Sequence, residues 1–233
     1  MNPVTGEALN LTKLDIKGLG KAKYILKEGG TLGDLYTTSN LRFNDNGYVE
    51  VDKNGNLLMT DEGEDIYLGS VFPNHNLAWR NDFSYKGINL GVLFTARLGG
   101  VCYSATQANL DLYGVSEASA AARDAGGVLI NGREMVDAQK WYQAIGSQSG
   151  LPQYYLYSAT NVRLQELSLG YTLPTKWFRD KMRMTVSFVG RNLWMIYCKA
   201  PFDPEAVAST GLSYQGIDYF MMPSLRSLGF NVK

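Results

Sequence analysis

The sequence predicts an all-β protein built from long antiparallel strands with one apolar and one polar face. Three observations carry that prediction. In "INLGVLFTARLG" the even positions from Ile88 to Leu98 read Ile, Leu, Val, Phe, Ala, Leu, and the odd ones are Asn89, Gly91, Leu93, Thr95 and Arg97. A period of two held this long is a strand with unlike faces, longer than the roughly 5–6 residues usual in soluble domains. Second, the connections between such stretches alternate between short and long. Third, 15 Tyr and 25 Gly stand among short alternating runs in a chain of 233 residues.

Composition sets limits on function. Lys+Arg and Asp+Glu are both 22, so the net charge is zero, which argues against a nucleic-acid partner, since such proteins carry a basic surplus. Hydrophobic content is an ordinary 45%. No apolar run approaches the roughly 18 residues of a transmembrane helix, but membrane strands alternate and escape that test. The opening "MNPVTGEALNLTKL" has no basic segment followed by an apolar stretch, so no signal peptide is read there. Either the chain is cytosolic or its true start lies upstream. Cys102 and Cys198 are too few for a disulfide framework and lack zinc spacing.

Taken in order, residues 1–40 read as irregular, punctuated by Gly18, Gly20, Gly29, Gly30 and Gly33. "LRFNDNGYVEVDKNGNLLM" then holds short alternating runs split at Asp45-Asn46-Gly47 and Asn54-Gly55. Asn-Gly favours tight hairpin turns, so a small meander is expected. "LAWRNDFSYKG" places Leu77, Trp79, Phe83 and Tyr85 on one face and Arg80, Asp82, Ser84 and Lys86 on the other. Lys86-Gly87 is the tight turn into the Ile88 strand.

Residues 101–159 form a long excursion. Ser116, Glu117 and Gly126-Gly127 frame a capped helix with a glycine stop, and "REMVDAQKWYQAIG", Arg133 to Gly146, reads as a second helix. "QELSLGYTLP" returns as a strand with Leu167, Leu169, Tyr171 and Leu173 opposite Glu166, Ser168, Gly170 and Thr172. A short connector, 174–181, leads to "MTVSFVGRNLWMIYC", where the alternation blurs at Gly190-Arg191-Asn192 and either a bulge or the end of the apolar zone is expected. Residues 199–221 form another long loop, and "SLRSLGFNVK" closes the series with Leu228, Phe230 and Val232 on one face. The layout is thus a 1–76 loop and meander segment, then 77–233 with the long strands.

Lipid is the expected neighbour of the apolar faces. Short turns at one end and long loops at the other are the outer-membrane barrel pattern. A strand of about 10 residues tilted near 45° spans roughly 23 Å, close to the apolar band of about 25 Å. Trp79, Tyr85, Tyr103, Tyr171, Trp177, Trp194 and Tyr197 fall near strand ends, where interfacial girdles belong. Arg80, Asp82, Arg97 and Glu166 suit a wet lumen. The competing fold is a soluble β-sandwich, with a carbohydrate-binding module as its function. Five long strands are fewer than the 8 of the smallest membrane barrels, and open edges in lipid leave backbone groups unpaired. Membrane strands here therefore imply a piece of a larger barrel.

Candidate sites are few. "VDKNGNLLMTDEGED" sets Asp52, Asn54 and Asn56 at alternate positions, yet an EF-hand needs Gly at position 6 and Glu at 12, and Gly55 and Gly63 do not supply them. A hairpin is the preferred reading, and no metal or cofactor is expected. His75 stands without metal-ligating neighbours and reads as a loop residue. No nucleophile-elbow, zincin or phosphate-loop pattern occurs, so no enzyme is expected. Trp141, Tyr142, Tyr154, Tyr155 and Tyr157 gather in the longest loop. They are the candidate ligand contacts, because aromatic rings stack on sugar faces; they also pack loops together.

Several motifs then fall in order: Gly69 to Pro73 (G-x-x-x-P), Asn81 to Leu90 (N-x-F-S-Y-K-G-x-x-L), Arg97 to Gly100 (R-L-G-G), and Ser158 to Glu166 (S-A-T-N-V-R-L-Q-E). Gly190 to Trp194 (G-R-N-L-W), Asp203 to Ala206 (D-P-E-A) and Pro223 to Val232 (P-S-L-R-S-x-G-F-N-V) follow. In this order they resemble the C-terminal part of SusC/RagA-type TonB-linked outer-membrane proteins. The resemblance implies a large transmembrane β-barrel with a plugged lumen, with plug and TonB-contacting segment upstream. It also implies a SusD-like surface lipoprotein as partner and uptake of glycans or peptides across the outer membrane. By carry-over, the short connectors are periplasmic, and the loops 101–159 and 199–221 are extracellular and contain the short helices. Cys102 and Cys198 would then sit at the outer ends of the second and fourth strands, about 10 Å apart and beyond the roughly 7 Å limit for a disulfide.

Overall fold

The computed structural model describes residues 13–60, 63–179, 181–211 and 213–233; the reading of the N-terminus as leaderless falls on residues 1–12, outside them. Strands β1 (Lys13–Leu19), β2 (Ala22–Lys27), β3 (Asp34–Thr37), β4 (Asn40–Leu41), β5 (Met59–Thr60) and β6 (Ile66–Ser70) come first. A long hairpin follows, β7 (His75–Tyr85) and β8 (Ile88–Leu98). The excursion holds β9 (Val101–Ser104), α1 (Ala105–Leu112), α2 (Glu117–Asp124), β10 (Val128–Ile130), β11 (Glu134–Val136), α3 (Ala138–Ile145) and β12 (Leu156–Ser158). Long strands β13 (Asn161–Thr172) and β14 (Thr185–Cys198) come next, then β15 (Ile217–Asp218) and β16 (Ser227–Val232). Strand makes up 46% and helix 15%, so the mostly-β expectation holds.

The chain forms two compact units. The loop unit comprises the described residues up to Phe72, with Val101–Tyr157 and Val207–Met221; the sheet unit comprises Pro73–Gly100, Ser158–Ala206 and Met222–Lys233.

The loop unit owns the buried core, where Tyr24, Leu35, Leu41, Val71, Tyr103, Ile145, Leu151, Tyr155 and Ile217 cluster. Its main sheet has the order β1-β2-β3-β6, which corrects the irregular reading of the stretch before residue 40. Gly20, Gly29, Gly30 and Gly33 fall between strands, while Gly18 lies within β1: Leu19 faces Ala22, and Gly20 takes φ +60° in the turn. The meander is present as bridges Phe43–Val49 and Val51–Leu57 beside the β4–β5 pair. Asp52 Oδ1 accepts the backbone N–H groups of Asn54 and Asn56 at 2.7 and 2.8 Å, so this carboxylate shapes the hairpin.

Helix α2 starts and stops where expected. Ser116 Oγ accepts the Ser119 N–H at 3.0 Å. Gly126 N–H donates to Arg123 O and Gly127 N–H to Ala122 O, the paired bonds of a Schellman stop. The second expected helix is shorter than read. Residues Glu134–Val136 pair with Val128–Ile130 as a hairpin, turned by Asn131 and Gly132 at φ 55° and 70°. The helix begins only after Asp137, whose side chain accepts the Lys140 N–H. Helix α1 was not anticipated, although Ser104 and Gln107 have capping-box spacing and Ser104 Oγ does accept the Gln107 N–H.

The sheet unit is an antiparallel meander of order β16-β14-β13-β8-β7. The five long strands expected from the sequence are these five, and β7 and β16 are its edges, so the described strands do not close into a barrel. Tyr85 faces Ile88 across the two-residue turn, with Lys86 and Gly87 at φ 48° and 87°; both positive values match a type I′ turn, whose twist suits a hairpin. Strand β7 begins at His75, opposite Leu98, so His75 is a strand residue and not a loop residue. Gly99 and Gly100, both at φ +83°, end β8. Cys102 therefore lies beyond that strand, buried on β9, and neither it nor Cys198 forms a disulfide. Tyr103, read as an interfacial ring, is buried in the loop unit's core for the same reason. The expected bulge is real: between Leu164–Trp194 and Glu166–Arg191 strand β14 advances one residue further than β13, and Asn192 takes φ 54°.

Candidate functional site

The register turns sequence alternation into two surfaces. On one face, residues align in rows across the strands: Trp79, Phe94, Leu164, Trp194; then Phe83, Leu90, Leu169, Phe188, Phe230; then Tyr85, Ile88, Tyr171, Val186, Val232. Trp79 stacks on Phe94 at 5.6 Å, and Phe188 meets Phe230 edge-on at 5.5 Å. These side chains are open: Trp79 is 61% exposed, Tyr85 69%, Leu228 65% and Phe230 80%. A sandwich places a second sheet over such a face, and among the described residues no second sheet covers this one. Each large apolar side chain left in water forgoes roughly 1.5–3 kcal/mol, and a face of them exceeds the ~5–15 kcal/mol by which domains are stable. Patches of this kind mark membrane or partner surfaces. Trp177, on the short connector, is also exposed.

The opposite face is charged. Arg80 Nε donates to Asp82 Oδ2 at 2.9 Å, Arg80 Nη1 lies 3.5 Å from Glu166 Oε1, and Arg191 Nε donates to Glu166 Oε2 at 3.1 Å. The network follows one register row, Arg80–Leu93–Glu166–Arg191, so the apolar exception Leu93 sits between the charges. Gly91 leaves the room the row below needs, since a Cβ there would lie 2.5 Å from Ser168 Oγ and 2.8 Å from Asp82 Oδ1. Of the four residues expected on the polar face, Arg80, Asp82 and Glu166 are brought together. Arg97 is apart from them and lines a cleft of about 400 Å³ with Asn76, Thr95, Gln165 and Glu205.

Sequence reasoning missed the most buried charge of the sheet unit. Arg163, with a side chain 3% exposed, lies 2.9 Å from Asp203 Oδ1 and 3.4 Å from Glu205 Oε2. Its Nε donates to Asn161 Oδ1 at 3.1 Å and its Nη1 to Asn192 Oδ1 at 3.5 Å. The Ser224 hydroxyl donates to Asp203, and Asn192 Nδ2 reaches the Leu225 carbonyl. Four of the motif segments quoted from the sequence thus converge on one guanidinium. Burial pushes the Asp203 carboxyl up, but the Ser224 hydroxyl and Arg163 outweigh it and hold it below the usual carboxylate range.

The aromatic candidates all lie in the loop unit. Tyr155 is in the core at 3% exposure, with Trp141 and Tyr142 packed against that core. Tyr154, 42% exposed, meets Trp141 edge-on at 5.9 Å. Burial, and after it the Asp111 carboxylate, push the phenols of Tyr142, Tyr155 and Tyr157 up. Asp111 itself is buried and accepts from Gln107 Nε2 at 2.9 Å.

No family model matches the chain. The TonB-dependent receptor P3 of Formosa agariphila is 24% identical over 196 residues, 80% of this chain and 18% of that protein. A chain of the RagAB peptide transporter aligns over 97% of this one and 24% of its own length, with TM-score 0.54 and 18% identity. The RagAB peptide importer in its "closed-closed" state gives TM-score 0.50 and 16% identity over 97% of this chain and 25% of the other. The chain thus spans less than a fifth of the curated relative and about a quarter of these solved chains. The fold is shared with part of the RagAB chains, and the sequence is similar to part of a TonB-dependent receptor. Within that class, the sequence relative and the fold neighbours agree with the motifs: the chain resembles the SusC/RagA type.

Proposed function

We propose that the chain supplies part of the wall and outer loops of a TonB-dependent transporter for nutrient uptake across the outer membrane, and not an enzyme. The observation that carries this reading is the exposed apolar face set back to back with the Arg80–Asp82–Glu166–Arg191 face. An eleven-residue strand such as β8, tilted near 45°, rises roughly 26 Å, which matches the apolar band of such barrels. On this reading the strands of 77–233 cross the bilayer, Arg80, Asp82, Arg97 and Glu166 face the lumen, and 1–76, 101–159 and 199–221 lie outside the cell. The partners are a SusD-like surface lipoprotein and TonB, the latter through segments other than these strands. The cargo is a glycan or a peptide, with exposed rings such as Tyr154 as contacts, and no nucleic acid is involved.

Single cysteines at Val92, Leu228 and Ser168, in a background with Cys102 and Cys198 replaced by alanine, test the reading with an environment-sensitive fluorophore in vesicles. The Val92 and Leu228 labels are expected to shift to the blue and to be quenched by brominated lipid. The Ser168 label is expected to be quenched by aqueous iodide. Iodide quenching of all three would overturn the membrane assignment.

A further inference from the structure

The loop unit contains a cavity of about 190 Å³ between its three helices. Its floor is Asp111, Ser119 and Ala138, all buried, and its rim includes Tyr113, Arg123, Gln139 and Gln143. Helix α3 directs Gln139 and Gln143, four residues apart and so on one helical face, to the opening beside Tyr142.

Two features of this cavity point to a ligand. A carboxylate removed from water is costly unless it is compensated, and the hydrogen bond Asp111 receives from Gln107 comes from a neutral amide. Asp111 and Tyr142 both line the cavity, and burial and the Asp111 carboxylate push the Tyr142 phenol up. A cavity of about 150 Å³ accepts a benzene, so this one accepts a single headgroup and not a chain. We propose that the cavity binds the primary ammonium group of a small headgroup, with Asp111 as its counter-charge, Gln139 and Gln143 as polar contacts and Tyr142 as the apolar wall. Arg123 does not oppose this: it stands exposed at the rim with Nη1 donating to the Gly114 carbonyl, where water and salt screen its charge. The site stands on the loop unit alone and does not depend on what bathes the long strands.

An ammonium group is offered by a peptide amino terminus or by an amino sugar, and calorimetry on the full chain in detergent separates them. The probes are triglycine, N-acetyl-triglycine, glucosamine and glucose. Triglycine or glucosamine is expected to bind, whichever does so naming the source, and the acetylated peptide and glucose to bind about tenfold more weakly or less, a difference near 1.4 kcal/mol. Asp111→Asn is expected to erase that preference. Gln139→Trp, which blocks the rim without touching the buried floor, is expected to abolish binding even if Asp111→Asn fails to fold. Equal binding of the acetylated peptide, retention of the preference in Asp111→Asn, full binding by Gln139→Trp or no binding of either amine would overturn the proposal.

Discussion

Arg163 shows what a single residue does for this chain. Its guanidinium joins strand β13 to the 203–205 turn and, through Asp203 and Asn192, to Ser224 and Leu225. Removing one partner of a buried pair leaves the other charge uncompensated, at a cost of about 3–5 kcal/mol. Arg163→Met is therefore expected to expose 199–206 to protease at neutral pH while the hairpin β7–β8 stays protected; unchanged protection of 199–206 would refute the anchoring role. The pair also sets a pH dependence. Asp203 titrates below its unfolded value of about 3.9, so its stabilisation is complete above that value and is lost as pH falls through the folded one. Amide exchange at Glu205 and Ala206 is expected to lose its protection relative to the intrinsic rate below about pH 4, and in Asp203→Asn to be unprotected at every pH. The sequence placed Arg163 inside a motif but gave no partner for it. Local alternation assigns a residue to a face, whereas a partner 40 residues away depends on how a loop returns.

At the scale of elements, the period of two was the most reliable signal. Strand β8 runs from Ile88 to Leu98, as its alternation requires, and the Lys86-Gly87 turn joins it to β7. Gly87 at φ +87° has the Thr172 carbonyl 3.0 Å from where a Cβ would stand. Gly87→Val is expected to cost about 1–2 kcal/mol, the left-handed penalty of a residue with Cβ, and a lowered urea midpoint in detergent would register it. Helical boundaries were read less well. "REMV" before Asp137 has only two apolar residues, Met135 and Val136, and they are adjacent, so no alternation announces the hairpin that Asn131-Gly132 turns. Helix α1 was hidden because "ATQANLDL" is short and mostly polar, leaving only the Ser104 cap to announce it. The candidate site is legible in part: the aromatic residues of the long loop stand out in the sequence, but nothing local marks the Asp111 carboxylate that acts on three of them.

For the whole molecule, the decisive feature is that the large apolar side chains of the sheet unit are outside and its polar ones share the other face. Alternation in the sequence is compatible with both a sandwich and a membrane sheet, and the exposure of that face favours the second. A charge at its middle separates lipid from water as the neighbour. Val92→Arg is expected to cost about 2–4 kcal/mol in a bilayer, whereas Ser168→Arg, on the charged face, costs little. Equal effects of the two substitutions on folding yield in vesicles would argue that lipid does not touch Val92.

The alternation has one more effect, on the chain before it folds. Apolar residues at every second position keep continuous greasy stretches short, as in the six residues from Leu193 to Cys198, and the mean hydropathy is −0.17. None of these stretches approaches the roughly 18 apolar residues of a transmembrane helix. Affinity for hydrocarbon arises only when hydrogen bonding between neighbouring strands gathers the scattered side chains onto a common plane.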